Sequence, residues 1–230
     1  PHMRVTYDHQ IFSWQKHGGI SRYFFEIARR IHEFDGYDVR ILSPLFANSY
    51  LRNDHVLKVG GEYVKTFPNP RRVAQFFNAG LVKWKLHRDP PDIVHETYYL
   101  GKKLASSKTK TVVTVYDMIH EKFPQFFRVN DTTGRFKKAA VHRADHIICI
   151  SENTRSDLVN MLGVGRDRTS VVHLGHTVNL QTEGPAQRLT ERPYIAYVGA
   201  RGGYKNFEGL IRAFGVSEFE DCRQFQAADF

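Results

Sequence analysis

The sequence predicts an α/β protein built on a parallel sheet. Three observations carry this reading. Short apolar segments rich in β-branched residues recur along the first three quarters of the chain, as in Thr111-Val112-Val113-Thr114-Val115-Tyr116 and His146-Ile147-Ile148-Cys149-Ile150. The chain opens with strand, Gly-Gly loop, amphipathic helix and strand, a βαβ unit. A second strand, glycine-rich turn and helix follows from Tyr194, with Arg201 and Lys205 in its turn.

Taken in order, Arg4 to His9 reads as the first strand, with Val5 and Tyr7 on one face. Gln10 to Gly19 reads as its loop. Ile20, Tyr23, Phe24, Ile27, Ile31 and Phe34 then recur at helical spacing, and Gly36 ends the helix. Tyr37 to Leu42 is a second strand. Val56 to Thr66 is compatible with a short strand or hairpin. Arg71 to Arg88 is a basic, aromatic helix that either packs on the sheet or rests on an acidic membrane surface. Asp89-Pro90-Pro91 breaks it. Asp92 to His95, Thr111 to Tyr116, His146 to Ile150 and Ser170 to Leu174 supply four further strands. Ser151 caps a helix reaching Leu162, with Leu158 and Met161 facing inward. Thr177 to Arg192 is polar and contains Gly and Pro, as linkers do. The expected division is 3–176, a linker at 177–192, and 193–230 as the start of a second domain.

Composition narrows the function classes less than the motifs do. The chain has 230 residues and a formal net charge of +9. That excess serves solubility, an anionic substrate, an anionic membrane surface or nucleic acid. Nucleic acid rests on charge alone and is not expected. Cys149 lies in an apolar run and reads as a buried thiol. With only two cysteines and no Cys/His metal spacing, the chain suits a reducing cytoplasm, and the basic, aromatic helix at 71–88 is what would give it peripheral contact with an anionic inner membrane face. Pro1-His2 before Met3 reads as a cloning remnant, and no signal peptide or membrane-spanning run is seen.

A parallel sheet gathers the residues that follow its strands along one edge. Those residues are Gly18 and Gly19, His95 and Glu96, Tyr116 and Asp117, and Ser151 and Glu152. Asp117 is the best-placed carboxylate, either functional or a cap for the following loop. His95 is either a ligand contact or a hydrogen-bonded histidine at a strand end. The G-x-G-x-x-G fingerprint is absent, which disfavours a nicotinamide oxidoreductase. Arg201 and Lys205 suit a diphosphate, because Arg can bind two oxygens at once and Lys adds a point charge.

These residues resemble family 4 retaining glycosyltransferases of GT-B fold, especially bacterial O-antigen and polysaccharide mannosyltransferases. The resemblance covers nearly all of 3–215. It rests on Gly18 to Tyr23, Pro91 to His95, Val113 to Ile119 with Phe123-Pro124, Ala144 to Thr154, and Tyr197 to Arg201 with Tyr204-Lys205-Asn206. It implies two Rossmann-like domains, an acceptor-side domain and a donor-side domain, facing across a cleft. It implies that Arg201, Lys205 and Gly19 hold the donor diphosphate, and that Asp117 is catalytic beside the transferred sugar. Tyr116 stands where the family has His, with Gly18, His95, Tyr116 and His120 as substrate contacts. The donor would be a nucleotide-diphosphate sugar such as GDP-mannose, with no metal, and the acceptor a glycan or a lipid-linked glycan. The family's Glu-x7-Glu donor motif has no counterpart here, so most of the second domain is expected to be missing. The alternative is a non-catalytic acceptor-binding or membrane-docking fragment of such an enzyme.

Overall fold

The computed structural model describes residues 2–66, 71–176, 195–199 and 201–215. Two compact units are present, Pro1–Lys122 with Val129–Leu174, and Phe123–Arg128 with Gly175–Phe230. The expected linker at 177–192 lies outside the described residues.

The first unit is a seven-stranded parallel sheet. Its strands are β1 (Met3–Tyr7), β2 (Tyr37–Ile41), β4 (Lys58–Val59), β6 (Ile93–Glu96), β7 (Lys110–Val115), β8 (His146–Cys149) and β9 (Thr169–Val171), in the order β4-β2-β1-β6-β7-β8-β9. A separate parallel pair joins β3 (Leu45–Phe46) to β5 (Glu62–Tyr63). The expected hairpin at 56–66 is therefore two short strands, each paired elsewhere. Glycine is required where β5 begins, because a Cβ on Gly61 would lie 1.7 Å from the Ser43 carbonyl oxygen.

The helices are α1 (Gln10–Trp14), α2 (Gly19–His32), α3 (Ser49–Arg52), α4 (Arg71–Arg88), α5 (Ile119–Lys122), α6 (Thr133–Arg143) and α7 (Glu152–Leu162). Strand alternation assigns them to faces. Val39 and Ile41 of β2 pack with Phe24, Phe25 and Ala28 of α2, whereas Leu42 packs with Val82 and Leu86 of α4. Val113 and Ile147 pack with Ala140 of α6 and Leu158 of α7. Helices thus cover both faces, as the sequence predicts. A fully buried side chain such as Phe24 contributes about 2–3 kcal/mol.

Three local readings change. Gln10–Trp14 forms a helix rather than a loop, since burial of Ile11 and Phe12 in the core draws one turn of chain inward. Helix α6 was not expected at all. Its apolar face is interrupted by Lys137, which hides the helical period. Ser151 does cap α7, its hydroxyl accepting from the Thr154 N–H at 3.1 Å. Met161, however, is 42% exposed, because the inward face of α7 runs through Thr154 and Leu158.

In the second unit a 3₁₀ turn at Gly203–Lys205 leads into α8 (Phe207–Gly215). Gly203 and Asn206 both take left-handed backbone conformations there, at φ 63° and 50°. Residues 195–198 are not a strand: Ile195 and Val198 are exposed, and no partner strand pairs with them among the described residues. Tyr194, where that strand was expected to start, lies outside the described residues.

Candidate functional site

In an open parallel sheet, ligands collect at the carboxyl edge where strand order reverses. The reversal here falls between β1 and β6. The chain fills that point with its own buried polar residues. Asp8 Oδ1 accepts from the Thr97 N–H at 3.0 Å and from the Thr97 hydroxyl at 2.5 Å. Gln10 Nε2 donates to Asp8 Oδ2 at 2.7 Å and to the Tyr98 carbonyl at 3.0 Å. Exposed groups on this edge therefore lie to either side of the reversal.

On one side is the Gly18-Gly19 turn at the start of α2. Gly18 is half-buried, and a Cβ there would collide with the Gln15 side chain. Gly19 is exposed, and a Cβ there would meet nothing within 4 Å. Nothing within the described chain calls for glycine at that position.

On the other side is the loop after β7, which carries Tyr116 and Asp117. Three helices hold it. The Tyr23 ring of α2 packs edge-on against Tyr116, with centroids 5.8 Å apart. Thr154 of α7 donates to the Tyr116 carbonyl at 3.3 Å. Lys137 of α6 donates to the Asp117 carbonyl at 2.8 Å. Asp117 Oδ1 accepts from the Ile119 N–H at 3.1 Å, so the carboxylate caps the loop as one reading expected. Its side chain nevertheless remains 45% exposed.

The sequence-predicted contacts divide accordingly. Gly19 and Asp117 are accessible on the carboxyl edge. Tyr116 is half-buried, and burial raises its phenol well above the ordinary range, so it stays protonated. His120 is 22% exposed, with Nε2 3.9 Å from Asp131. His95 is in the core, contrary to a substrate contact. Its ring lies 5.4 Å from Tyr7 and 5.0 Å from Phe24, and Nε2 is hydrogen-bonded to Thr114 at 2.9 Å. Burial pushes its pKa down to about 3, so the imidazole is neutral. The reason is strand parity: His95 points to the face that α2 covers.

Sequence reasoning missed Lys137, which is 1% exposed and binds Glu121 at 2.8 Å as well as the Asp117 loop. Its signal is its place on the inward face of α6, one turn before Ala140 and Val141. A second buried pair, Arg143 and Glu96 at 2.8 Å, ties α6 to the end of β6. Burial raises the Glu96 carboxyl to about 7, outweighing the opposing pull of Arg143. The unfolded chain gives up this proton near 4.5, while the folded chain holds it to about 7. Between those values the native state binds the extra proton, so this group's contribution to stability falls as pH rises. Glu96→Gln is expected to flatten that segment of the stability profile, measured by urea unfolding at about pH 5 and about pH 7.5. An unchanged pH dependence would remove Glu96 as its source.

The two predicted diphosphate ligands lie in the second unit. Arg201 and Lys205 are both exposed. The Arg201 guanidinium lies 5.8 Å from the Phe207 ring centroid, and Lys205 Nζ lies 5.2 Å from that of Tyr204. Neither has a carboxylate partner among the described residues.

Among solved structures the chain is similar to a lipopolysaccharide outer core galactosyltransferase, WaaB, in its apo form. The two are 12% identical, the match covers 94% of this chain and 58% of that one, and the TM-score is 0.56. It also matches Arabidopsis thaliana UGT89C1 complexed with UDP-L-rhamnose, at 13% identity, with 95% and 64% coverage and a TM-score of 0.42. The chain spans less than two thirds of either protein. Comparison with curated protein sequences gave no match. The likeness to WaaB identifies the fold as GT-B. The family model for Glycosyltransferase Family 4 matches residues 17–180, most of the chain, and the protein belongs to that family.

Proposed function

We propose that the whole protein is a retaining, metal-independent glycosyltransferase that moves a hexose from a nucleotide-diphosphate sugar to a glycan or lipid-linked acceptor. The sugar in this reading is mannose from GDP-mannose, and the setting is surface polysaccharide or O-antigen synthesis at the inner membrane face. Residues 3–176 take the acceptor side and 193–230 begin the donor side. The observation that carries the reading is the pairing of family membership with an accessible Gly19 and Asp117 on the carboxyl edge of the sheet. The open space at Gly19 supports close approach of a donor to the backbone.

In the proposed reaction the acceptor hydroxyl attacks the anomeric carbon on the face from which the diphosphate leaves. The bond from carbon to the diphosphate oxygen breaks as the new glycosidic bond forms, and the hydroxyl proton passes to the departing phosphate. Asp117 holds the transferred sugar. Arg201 and Lys205 stabilise the charge that develops on the diphosphate.

The test is release of nucleoside diphosphate by full-length protein from a panel of nucleotide sugars, with and without EDTA. Turnover that persists in EDTA and gives product of retained anomeric configuration is expected. Absence of turnover with every nucleotide sugar would overturn the assignment. Gly19→Ala is expected to lower turnover with an unchanged melting temperature, since the added methyl meets no atom of the chain itself. A second reading, the acceptor or membrane-docking part of such an enzyme, is favoured for this chain by the exposed Phe76, Phe77 and Trp84 on the basic helix α4. Transfer by full-length protein but not by this chain would support it.

A further inference from the structure

Helix α4 has two faces of opposite character. Ala74, Asn78, Val82 and Leu86 recur every four residues and are buried against the first unit. Val73, Phe76, Phe77 and Trp84 line another face and are 62%, 78%, 52% and 55% exposed. A single exposed apolar side chain is ordinary, but three large aromatics along one helix make a patch that calls for a partner. None of the 18 residues is acidic. Lys83, Lys85, His87 and Arg88 gather in its last turns.

Two of them, Lys85 and Arg88, border a groove of about 550 Å³ that α4 forms with β2 and the edge strand β4. Its two acids are already engaged, Asp38 with Lys58 at 2.7 Å and Asp89 with Arg4 and Arg40 at 2.6 and 2.5 Å. Lys85 and Arg88 line the groove without a carboxylate partner among the described residues. The Arg88 guanidinium lies 5.4 Å from the centroid of the Trp84 ring. Basic residues at a helix C-terminus complement its dipole. The dipole explains neither the aromatic stripe nor the lack of acids.

We propose that α4 lies in the plane of an anionic bilayer. Phe76, Phe77 and Trp84 enter the boundary between headgroups and acyl chains, and the groove at Lys85 and Arg88 receives a lipid phosphate. Among the described residues no helix is long and apolar enough to cross a membrane, so α4 docks on the surface. This rests on the membrane-contact part of the function proposed above and names the surface that makes the contact. An aromatic, basic surface also suits single-stranded nucleic acid. The described cations gather at one end of the stripe, where Arg88 lies against Trp84, rather than tracking its length, and that arrangement favours a layered partner.

The test is co-sedimentation of this chain with phosphatidylcholine vesicles, with and without phosphatidylglycerol, at low and high salt. Binding is expected only with phosphatidylglycerol and is expected to weaken with salt. In a Trp14→Phe background, Trp84 emission should shift to the blue on binding. Phe76→Ser with Phe77→Ser should weaken binding at least about tenfold. Lys85→Glu with Arg88→Glu should do the same, at about fivefold per basic residue lost. Circular dichroism and melting check that each variant folds. Arg29→Glu with Arg30→Glu makes the same net charge change on α2, which packs in a different core cluster from α4, and should leave binding nearly intact. Equal loss in that control, equal binding to neutral vesicles, no binding at all, or tighter α4-dependent binding to an RNA oligonucleotide would each overturn the proposal. Transfer to a water-soluble acceptor by full-length protein is read separately, so failure of docking and failure of the transferase assignment are distinguishable.

Discussion

Lys137→Met is expected to lower the unfolding free energy by about 3–5 kcal/mol, the cost of leaving one partner of a buried ion pair behind. The ammonium of Lys137 is 1% exposed and lies 2.8 Å from Glu121 Oε2, 2.8 Å from the Asp117 carbonyl and 3.9 Å from Asp117 Oδ1. It also lies 5.7 Å from the centroid of the Tyr99 ring. Methionine fills a similar volume but supplies no donor. The Glu121 carboxylate, 13% exposed, would then be unpaired, and the Asp117 carbonyl would lose its bond. Glu121→Gln added to Lys137→Met removes the stranded charge and should recover part of the loss. Urea unfolding of the two variants measures both effects. A single variant within about 0.5 kcal/mol of the parent, the range of an ordinary surface change, would show that the pair does not hold the loop.

Arg201→Ala and Lys205→Ala should have the opposite profile, costing catalysis and sparing the fold. Each is expected to reduce transfer by full-length protein on the order of 10²–10³-fold, as for loss of one preorganised group that stabilises developing negative charge. Stability should change by less than about 0.5 kcal/mol, because both side chains are exposed and neither has a carboxylate partner among the described residues. Arg201→Lys keeps the charge and loses the two-pronged geometry, so its activity should fall between those of Arg201 and Ala. Steady-state rates beside melting curves decide the matter. Undiminished turnover in both alanine variants would remove these residues from the diphosphate site.

Much of the scaffold was legible because its signals are local. The helix Gly19–His32 follows from the spacing of Ile20, Tyr23, Phe24, Ile27 and Ile31. The strands at Lys110–Val115 and His146–Cys149 follow from β-branched and apolar runs. The cap at Ser151 follows from one hydroxyl before an amphipathic segment. The family could be read from the order and spacing of short motifs, and the family match bears it out over 17–180. The strand expected from Tyr194 failed at residues 195–198, since apolar character alone supplies no strand to pair with.

Asp117 and His95 show where local reading ends. Both follow or finish a strand, and the sequence ranked them as neighbours on one edge. Strand alternation sends His95 under α2, against Tyr7 and Phe24, whereas Asp117 lies past the end of β7 and keeps nearly half its side chain in solvent. Lys137 reads in sequence as one more surface cation. It is buried because α6 packs its inward face on the sheet beside the Asp117 loop. The sequence by itself determined the parallel α/β scaffold, the glycine-rich turns and the family. Tertiary structure decided which candidate side chains reach solvent, which are consumed in the core, and that α4 packs one face while leaving its aromatic face uncovered. The physical reason is range. Periodicity and turn chemistry act over a few residues, whereas burial and charge pairing depend on segments brought together from far apart in the chain, as Glu96 and Arg143 are.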